Sequence, residues 1–367
     1  MKQSKHNIYY SPKEVRTILE RSIDTALDGL KCYCNDPVSD FTRCRKLPAR
    51  TLIECIMSFS NYSSIGELSH FFAGQGEMPS ASALSQRRQL LDPDIFKRIN
   101  NLFVSAFDDC TTINGYHILA QDGSDVNIPF MDDKTKTEKH DAKSFCQYHV
   151  NALYDCLNKV FYDWSIDAAS KKREVNALIS ILKDRNYPQN SIFTADRGYE
   201  SYNLMAHFIE NDTKFVIRVK DIHTKSGLMT NIKTEEGAFD MRINRTLTSL
   251  QTKEIKADKE KYIFVPTTSN FDFLDETRDF YDLSFRAVRF KISEDTYETV
   301  VTNLSEKEFK TDDFKELYHY RWNEETAFNK LKYTIGLVYF HARKRKLIQQ
   351  EINAAFLMYN VSKNRKA

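Results

Sequence analysis

Three carboxylates stand out for where they fall in the chain. Asp122 follows an apolar run in ILAQDGSD, Asp196 follows another in IFTADRGYE, and Glu325 lies in YHYRWNEETAFNKLK. An apolar strand ending in Asp sets that carboxylate at the rim of a sheet, where ligands of α/β sheets bind. Two such Asp on neighbouring strands, with a Glu from a packed helix, make an oxygen cage suited to hard divalent cations. Two Mg²⁺ ions roughly 3.5–4 Å apart activate a water or hydroxyl and stabilise the leaving oxygen in phosphodiester chemistry. A strand-end turn or a helix cap explains any one Asp equally well in a chain with 51 acids. Only the group carries weight.

The helix that holds Glu325 sharpens the pattern. Tyr318, Arg321, Glu325 and Lys332 are separated by three, four and seven residues. At ~100° per residue they fall within an arc of roughly 60° on one helical face. Phe314, Leu317, Phe328 and Ile335 form an adjacent apolar stripe that can dock the helix on a sheet. One edge of a buried helix thus presents a carboxylate flanked by two cations and a phenol. Glu325 completes the metal site, while Tyr318, Arg321 and Lys332 contact phosphate oxygens. A surface helix with spaced ion pairs is the plain alternative, and it leaves the close border of polar and apolar faces unexplained. Glu324 is turned about 100° from Glu325 and reads as a bystander.

The elements that must position these residues change in texture along the chain. Residues 1–110 read as helical: Ser11-Pro12 opens a run with Val15, Ile18 and Leu19 at helical spacing, an N-cap followed by Pro. Further helices are expected at about 49–60, 64–72, 80–91 and 93–107. The piece PSASALSQRRQLL carries Arg87 and Arg88 on a short helix of the type that enters a DNA groove; a solvated bundle face is the equal alternative. From residue 116 the order is three strands, helix, strand, helix, strand, with strand ends at Asp122 and Asp196. Residues 221–310 contain further strand-like pieces, YIFVP, FRAVRFKI and ETVVTNL. One helical pattern then runs from about 312 to 334.

Composition removes other classes. With 41% hydrophobic and 28% charged residues in 367, the chain can bury a sizeable core and reads as two or three globular domains. No apolar run approaches the ~18 residues of a membrane span, and the amino terminus lacks a secretory apolar core. Seven scattered cysteines suit a reducing cytoplasm rather than a disulfide framework or zinc site. A phosphate-binding Gly loop followed by Lys-Ser/Thr is missing, so ATP is not expected. His149 and His319 lack metal-type spacing and read as structural, and Asp125 as a surface turn or an outer partner of the site. The net charge of +2 decides nothing, but its distribution does: HARKRK at 341–346, with Arg343, Lys344 and Arg345, and KNRK near the end are basic runs that track a phosphate backbone. The polar stretch MDDKTKTEKHDAK reads as a loop.

DGSD, TADRGY and the Tyr318, Arg321, Glu325, Lys332 spacing resemble the DDE transposases of bacterial insertion sequences, in the branch with the Tyr-Arg-Glu-Lys signature. The resemblance covers about 110–340 well and the amino-terminal helices more loosely. It implies an α/β fold with a ribonuclease-H-like catalytic core at 111–220 and 311–345. It further implies a mostly β insertion at 221–310, an α-helical DNA-binding domain at 1–110 and a carboxyl-terminal helix at 346–367. Asp122, Asp196 and Glu325 match the catalytic triad, which holds two Mg²⁺ or Mn²⁺ ions; Tyr318, Arg321 and Lys332 match the accessory signature that handles DNA phosphates. The expected activity is cut-and-paste transposition by cleavage and strand transfer at terminal inverted repeats. Its partners are the double-stranded element ends and target DNA, with a homodimer on paired ends and no membrane, in the bacterial cytoplasm at the nucleoid. Tyr297 is the nearest candidate for the family's base-stacking aromatic, with a plain sheet residue as its equal alternative. A transposase-derived DNA-binding protein without chemistry, and a nuclease of the same fold that cleaves without joining, are the competing readings.

Overall fold

The computed structural model describes residues 1–4, 10–43, 45–74, 76–107, 110–129, 136–137, 145–169, 174–222, 224, 227–266, 268–269, 271–294 and 296–363. A short strand, β1 (Gln3–Ser4), pairs with β2 (Thr112–Ile113), and five helices lie between them: α1 (Pro12–Asp28), α2 (Ala49–Met57), α3 (Ser64–Phe71), α4 (Ala81–Leu90) and α5 (Asp94–Ser105). Ser11 starts α1 with a capping box. Its hydroxyl accepts from the Glu14 N–H at 3.3 Å, and the Glu14 carboxylate accepts from the Ser11 N–H at 2.7 Å. Along α5, Ile95, Ile99 and Phe103 recur every four residues and so share one face. They form a core with Val15 and Ile23 of α1, Ile53 and Ile56 of α2, Leu68 of α3 and Leu84 of α4.

A large mixed sheet follows, and with those helices it makes the fold mixed α/β. Its strands are β3 (His117–Ile128), β4 (Lys136–Thr137), β5 (Phe145–Asp155), β6 (Val160–Ala168), β7 (Ser191–Ala195), β8 (Lys214–Val219), β9 (Phe239–Thr248), β10 (Tyr262–Phe264), β11 (Phe280–Ser293) and β12 (Thr296–Thr302). Among the described residues these ten run across one sheet in the order β10-β9-β11-β12-β8-β7-β3-β5, with β4 and β6 both paired to β5. The β3, β5 and β6 strands form an antiparallel meander, whereas β7 runs parallel to β3 and β8 parallel to β7. Helix α6 (Glu174–Asp184) connects β6 to β7, and α7 (Tyr202–Glu210) connects β7 to β8. The short α8 (Lys253–Ala257) lies between β9 and β10.

The strands drawn from 221–310 continue this sheet, because β12 pairs with β8 in the register Thr299↔Val219 to Thr302↔Val216. Ile243, Leu247, Tyr281 and Phe285 accordingly share a core with Leu119, Phe193 and Ile217. The strand β9, in FDMRINRTLT, escaped the sequence reading because charged residues interrupt its apolar ones.

Alternation along β3 assigns its faces. Ile118, Ala120, Val126 and Ile128 join the core beneath α9 (Asp313–His319), α10 (Trp322–Tyr333) and α11 (Arg345–Lys363), whereas Leu119 joins the core beneath α6 and α7. Even positions of β3, Asp122 among them, therefore face the carboxyl-terminal helices. Helix α11 also gives Leu357 and Val361 to the amino-terminal helical core, and its Phe356 ring stacks on Trp164 with centroids 4.4 Å apart.

Two expectations need correction. Asp122 does not end its strand: β3 runs through DGSD to Ile128, because β5 continues to pair with it from Asp122↔Ala152 to Ile128↔Cys146. The expected single helix from 312 to 334 is two helices, α9 and α10. At their junction the Arg321 N–H donates to Tyr318 O at 3.1 Å and the Glu324 N–H to Arg321 O at 3.0 Å, the tighter three-residue bonding of a 3₁₀ turn. Tyr320 and Arg321 keep right-handed helical dihedrals, so the two segments keep a common direction. Phe314, Leu317 and Phe328 are buried in the core as their stripe predicted, and Ile335 packs against it from beyond the end of α10. Among the described residues, no helix is long and apolar enough to cross a membrane. The 131–143 loop, apart from 136–137, and most of the KNRK run lie outside the described residues.

Candidate active site

The parallel ladder between β3 and β7 ends at the pair Gln121↔Ala195. Asp122 and Asp196 are the next residue on each strand, so the two carboxylates occupy matching positions where the strands part. The Asp122 carboxylate accepts from the Gly123 N–H at 2.8 Å, and that of Asp196 from the Gly198 N–H at 2.7 Å. Burial raises the Asp122 carboxyl to about 6; the Gly123 N–H and Arg321 oppose the rise, and the charges of Asp196 and Glu174 add to it.

Glu325 reaches this pair through Arg321. The Arg321 guanidinium places Nη2 2.9 Å from Glu325 Oε1 and Nη1 3.7 Å from Asp122 Oδ2. Tyr318 is buried and its hydroxyl finds no hydrogen-bond partner among the described residues; its ring lies beside Arg321, with the guanidinium carbon 5.7 Å from the centroid. Burial raises the phenol, against the nearby charges of Arg321 and Arg218. Lys332 Nζ donates to the Asp125 carbonyl at 2.8 Å, and burial lowers its pKa. Tyr318, Arg321 and Glu325 thus gather beside Asp122 near the end of the parallel ladder, while Lys332 meets β3 three residues further along.

This donor set suits hard cations. The groups around Asp122 and Asp196 are carboxylate oxygens, and their mutual repulsion is what a divalent ion relieves. Among the described residues no group of three or more His, Cys, Asp or Glu side chains is arranged to hold a metal ion; Glu325 is paired with Arg321.

The expected DNA contacts divide. Arg88 is not available to a groove: it is 3% exposed, with Nη2 2.7 Å from Glu351 Oε1 and 2.7 Å from Leu347 O, and Nε 3.1 Å from Gln350 Oε1. The arginine faces inward and ties α4 to α11. Arg87 is half-buried, donates to Leu47 O at 3.1 Å and stacks over Phe41. Arg343, Lys344 and Arg345 are exposed at the start of α11, where Lys344 also donates to Gln89 at 2.8 Å. Tyr297 lies in β12 with Arg289 stacked over its ring at 4.3 Å.

Four residues beside the site were given no functional role from the sequence. Glu324, read as a bystander, is 0% exposed; burial followed by the Asp122 charge raises its pKa well above the usual range, and a hydrogen bond from the Asp122 backbone opposes the rise. Trp322 is 48% exposed beside Arg321. It lines a cavity of about 500 Å³ with Phe290, Ile292, Glu298, Lys315 and Tyr318. His149 and Glu174 form an ion pair on the other face of the sheet, with Nε2 to Oε1 at 3.0 Å. Helical periodicity offered a signal for Trp322 alone, which adjoins Arg321 on the same turn.

Asp122 and Asp196 thus stand at the end of a parallel ladder, with Arg321 and Glu325 presented from the α9–α10 segment. The chain belongs to the transposase DDE domain family, which residues 113–361 match; its chemistry is therefore that of DNA transposition and recombination. No curated protein matches the chain. It is similar to a piggyBac transposase, solved by cryo-EM as a synaptic complex with hairpin DNA, at 11% identity over 99% of this chain and 78% of that one, with a TM-score of 0.43.

Proposed function

We propose that the protein is a cut-and-paste DNA transposase of a bacterial insertion sequence, in the branch with the Tyr-Arg-Glu-Lys signature. It acts at terminal inverted repeats, as a homodimer on paired ends, in the cytoplasm at the nucleoid. The observation that carries the reading is the placement of Asp122 and Asp196 at the end of the β3–β7 ladder, with Arg321 joining Asp122 to Glu325. The strand order β6-β5-β3-β7-β8, antiparallel in the meander and parallel beyond it, supports a ribonuclease-H-like core.

Transposases of this family use divalent metal ions. Asp122, Asp196 and Glu325 are the residues that would hold Mg²⁺ or Mn²⁺, two ions in the full reading. When bound, such ions activate the attacking oxygen and neutralise charge on the leaving one. The chain's own groups do the rest. Arg321 bridges Asp122 and Glu325, and its planar fork suits the paired oxygens of a phosphate. Tyr318 and Lys332 flank that position as a donor and a point charge. Arg343, Lys344 and Arg345 are placed to follow the backbone of the bound end.

The test is one assay: DNA carrying the inverted repeats that flank the gene, incubated with the protein and Mg²⁺. Cleavage followed by joining to a target is the expected result. Binding without cleavage supports the chemically inactive DNA-binding protein instead, and cleavage without joining supports a nuclease.

A further inference from the structure

His149 and Glu174 have no part in the signature, yet Glu174 lies beside glycines close to both aspartates and His149 beside one of them. His149 is buried on β5, with Nδ1 2.7 Å from Asp125 Oδ1 and Nε2 3.0 Å from Glu174 Oε1. Burial works against the charged ring, but its bonds to Glu174 and Asp125 outweigh that and raise its pKa. Glu174 is the first residue of α6. An acid there complements the helix dipole, which explains its position but not its direction.

The direction is fixed by two glycines. A β-carbon on Gly123, next to Asp122, would lie 2.4 Å from His149 Nε2 and 2.9 Å from Glu174 Oε1. A β-carbon on Gly198, two residues past Asp196, would lie 3.8 Å from Glu174 Oε2. The Glu174 carboxylate therefore stands between the β3 and β7 sides of the site, one oxygen toward each, in space that the glycine at 123 leaves open. Gly123 is an odd position of β3, on the face opposite α10, so Glu174 approaches from behind. Its charge still acts on Asp122.

Resting on the transposase reading above, we propose that Glu174, anchored by His149, is a positioning residue of this centre. It holds the β3 and β7 segments bearing Asp122 and Asp196 at their separation, and its charge raises the centre's affinity for divalent cations. A purely structural Glu174 would stabilise the fold and leave cation affinity untouched, so the two roles part in a binding measurement.

The experiment is a Mn²⁺ titration of the full-length, metal-free protein followed by electron paramagnetic resonance, with thermal unfolding of each variant alongside. Glu174→Gln keeps size and loses the charge, and its Mn²⁺ affinity should fall about tenfold, the order expected for one charge at close range. Glu174→Asp keeps the charge, and its affinity should stay within about threefold of the wild type. Glu174→Ala removes the same charge and should weaken Mn²⁺ as well, which keeps the test open if Glu174→Gln does not fold. Wild-type affinity in Glu174→Gln, or in Glu174→Ala should the former not fold, overturns the proposal. Asp122→Asn separates the two readings. If it loses Mn²⁺ while Glu174→Gln does not, only this proposal fails; if the wild type binds no Mn²⁺, the metal reading fails with it.

Discussion

Arg321 and Glu325 sit one helical turn apart with Nη2 and Oε1 at 2.9 Å, and the same guanidinium lies 3.7 Å from Asp122. A cation supplied by the chain thus stands among the carboxylates assigned to metal. Its removal should destabilise the metal-free protein, since it leaves partly buried carboxylates unpaired. Arg321→Ala is expected to cost up to about 3 kcal/mol, and added Mg²⁺ should recover more stability in the variant than in the wild type. Thermal unfolding with and without Mg²⁺ measures both.

Asp122 gives a pH signature. Its carboxyl is raised from 3.8 to about 6 in the fold, so between those values the folded state holds more protons than the unfolded one. Stability of the metal-free protein should therefore fall as pH rises through that window. Asp122→Asn removes the effect. The variant should match the wild type near pH 4 and exceed it above pH 6, by at most about 3 kcal/mol. A pH series of unfolding midpoints in chelator would detect this, and equal midpoints at every pH would contradict it.

Glu324 is buried while its neighbour Glu325 is half-exposed, and the Asp122 N–H donates to its carboxyl. Glu324→Leu removes that acceptor and leaves the Asp122 N–H unsatisfied where β3 and β7 part. The change should destabilise the protein by about 1–3 kcal/mol, read from urea midpoints. A gain in stability of similar size would contradict this and mean that the cost of burying the carboxyl outweighs the bond.

The arginines of α4 and the basic run before α11 should behave oppositely. Arg88→Met breaks a buried pair with Glu351 and should cost about 3–5 kcal/mol of stability, with the salt dependence of DNA binding unchanged. Alanine at Arg343, Lys344 and Arg345 should leave stability nearly intact. It should flatten the slope of log K against log salt by about 0.9 for each phosphate that is no longer neutralised. Titrations of end DNA at several salt concentrations, beside unfolding curves, distinguish the two.

What the sequence disclosed follows the physics of each signal. The order of the main strands and helices from residue 116 to about 220 was legible because apolar runs and helical spacing are local, and Arg321 and Glu325 were legible as neighbours because they lie one helical turn apart. The interior burial of Arg88 was not, since α11, more than 250 positions away, supplies its hydrogen-bond partners. Asp122 read as a strand end; the Gly123 that follows it is instead a strand residue whose missing side chain admits His149 and Glu174. Packing between a strand and a distant helix leaves no periodicity in either.

That Asp122, Asp196 and Glu325 act together as a divalent-metal centre for strand cleavage is tested most directly by single-turnover kinetics. A pre-bound inverted-repeat end is cleaved in Mg²⁺ by the wild type and by Glu325→Gln. The substitution keeps size and removes the charge a cation needs, so cleavage should fall by a factor on the order of 10³ or more while end binding persists. Cleavage at the wild-type rate by Glu325→Gln, or undiminished cleavage by the wild type in excess EDTA, would contradict the assignment.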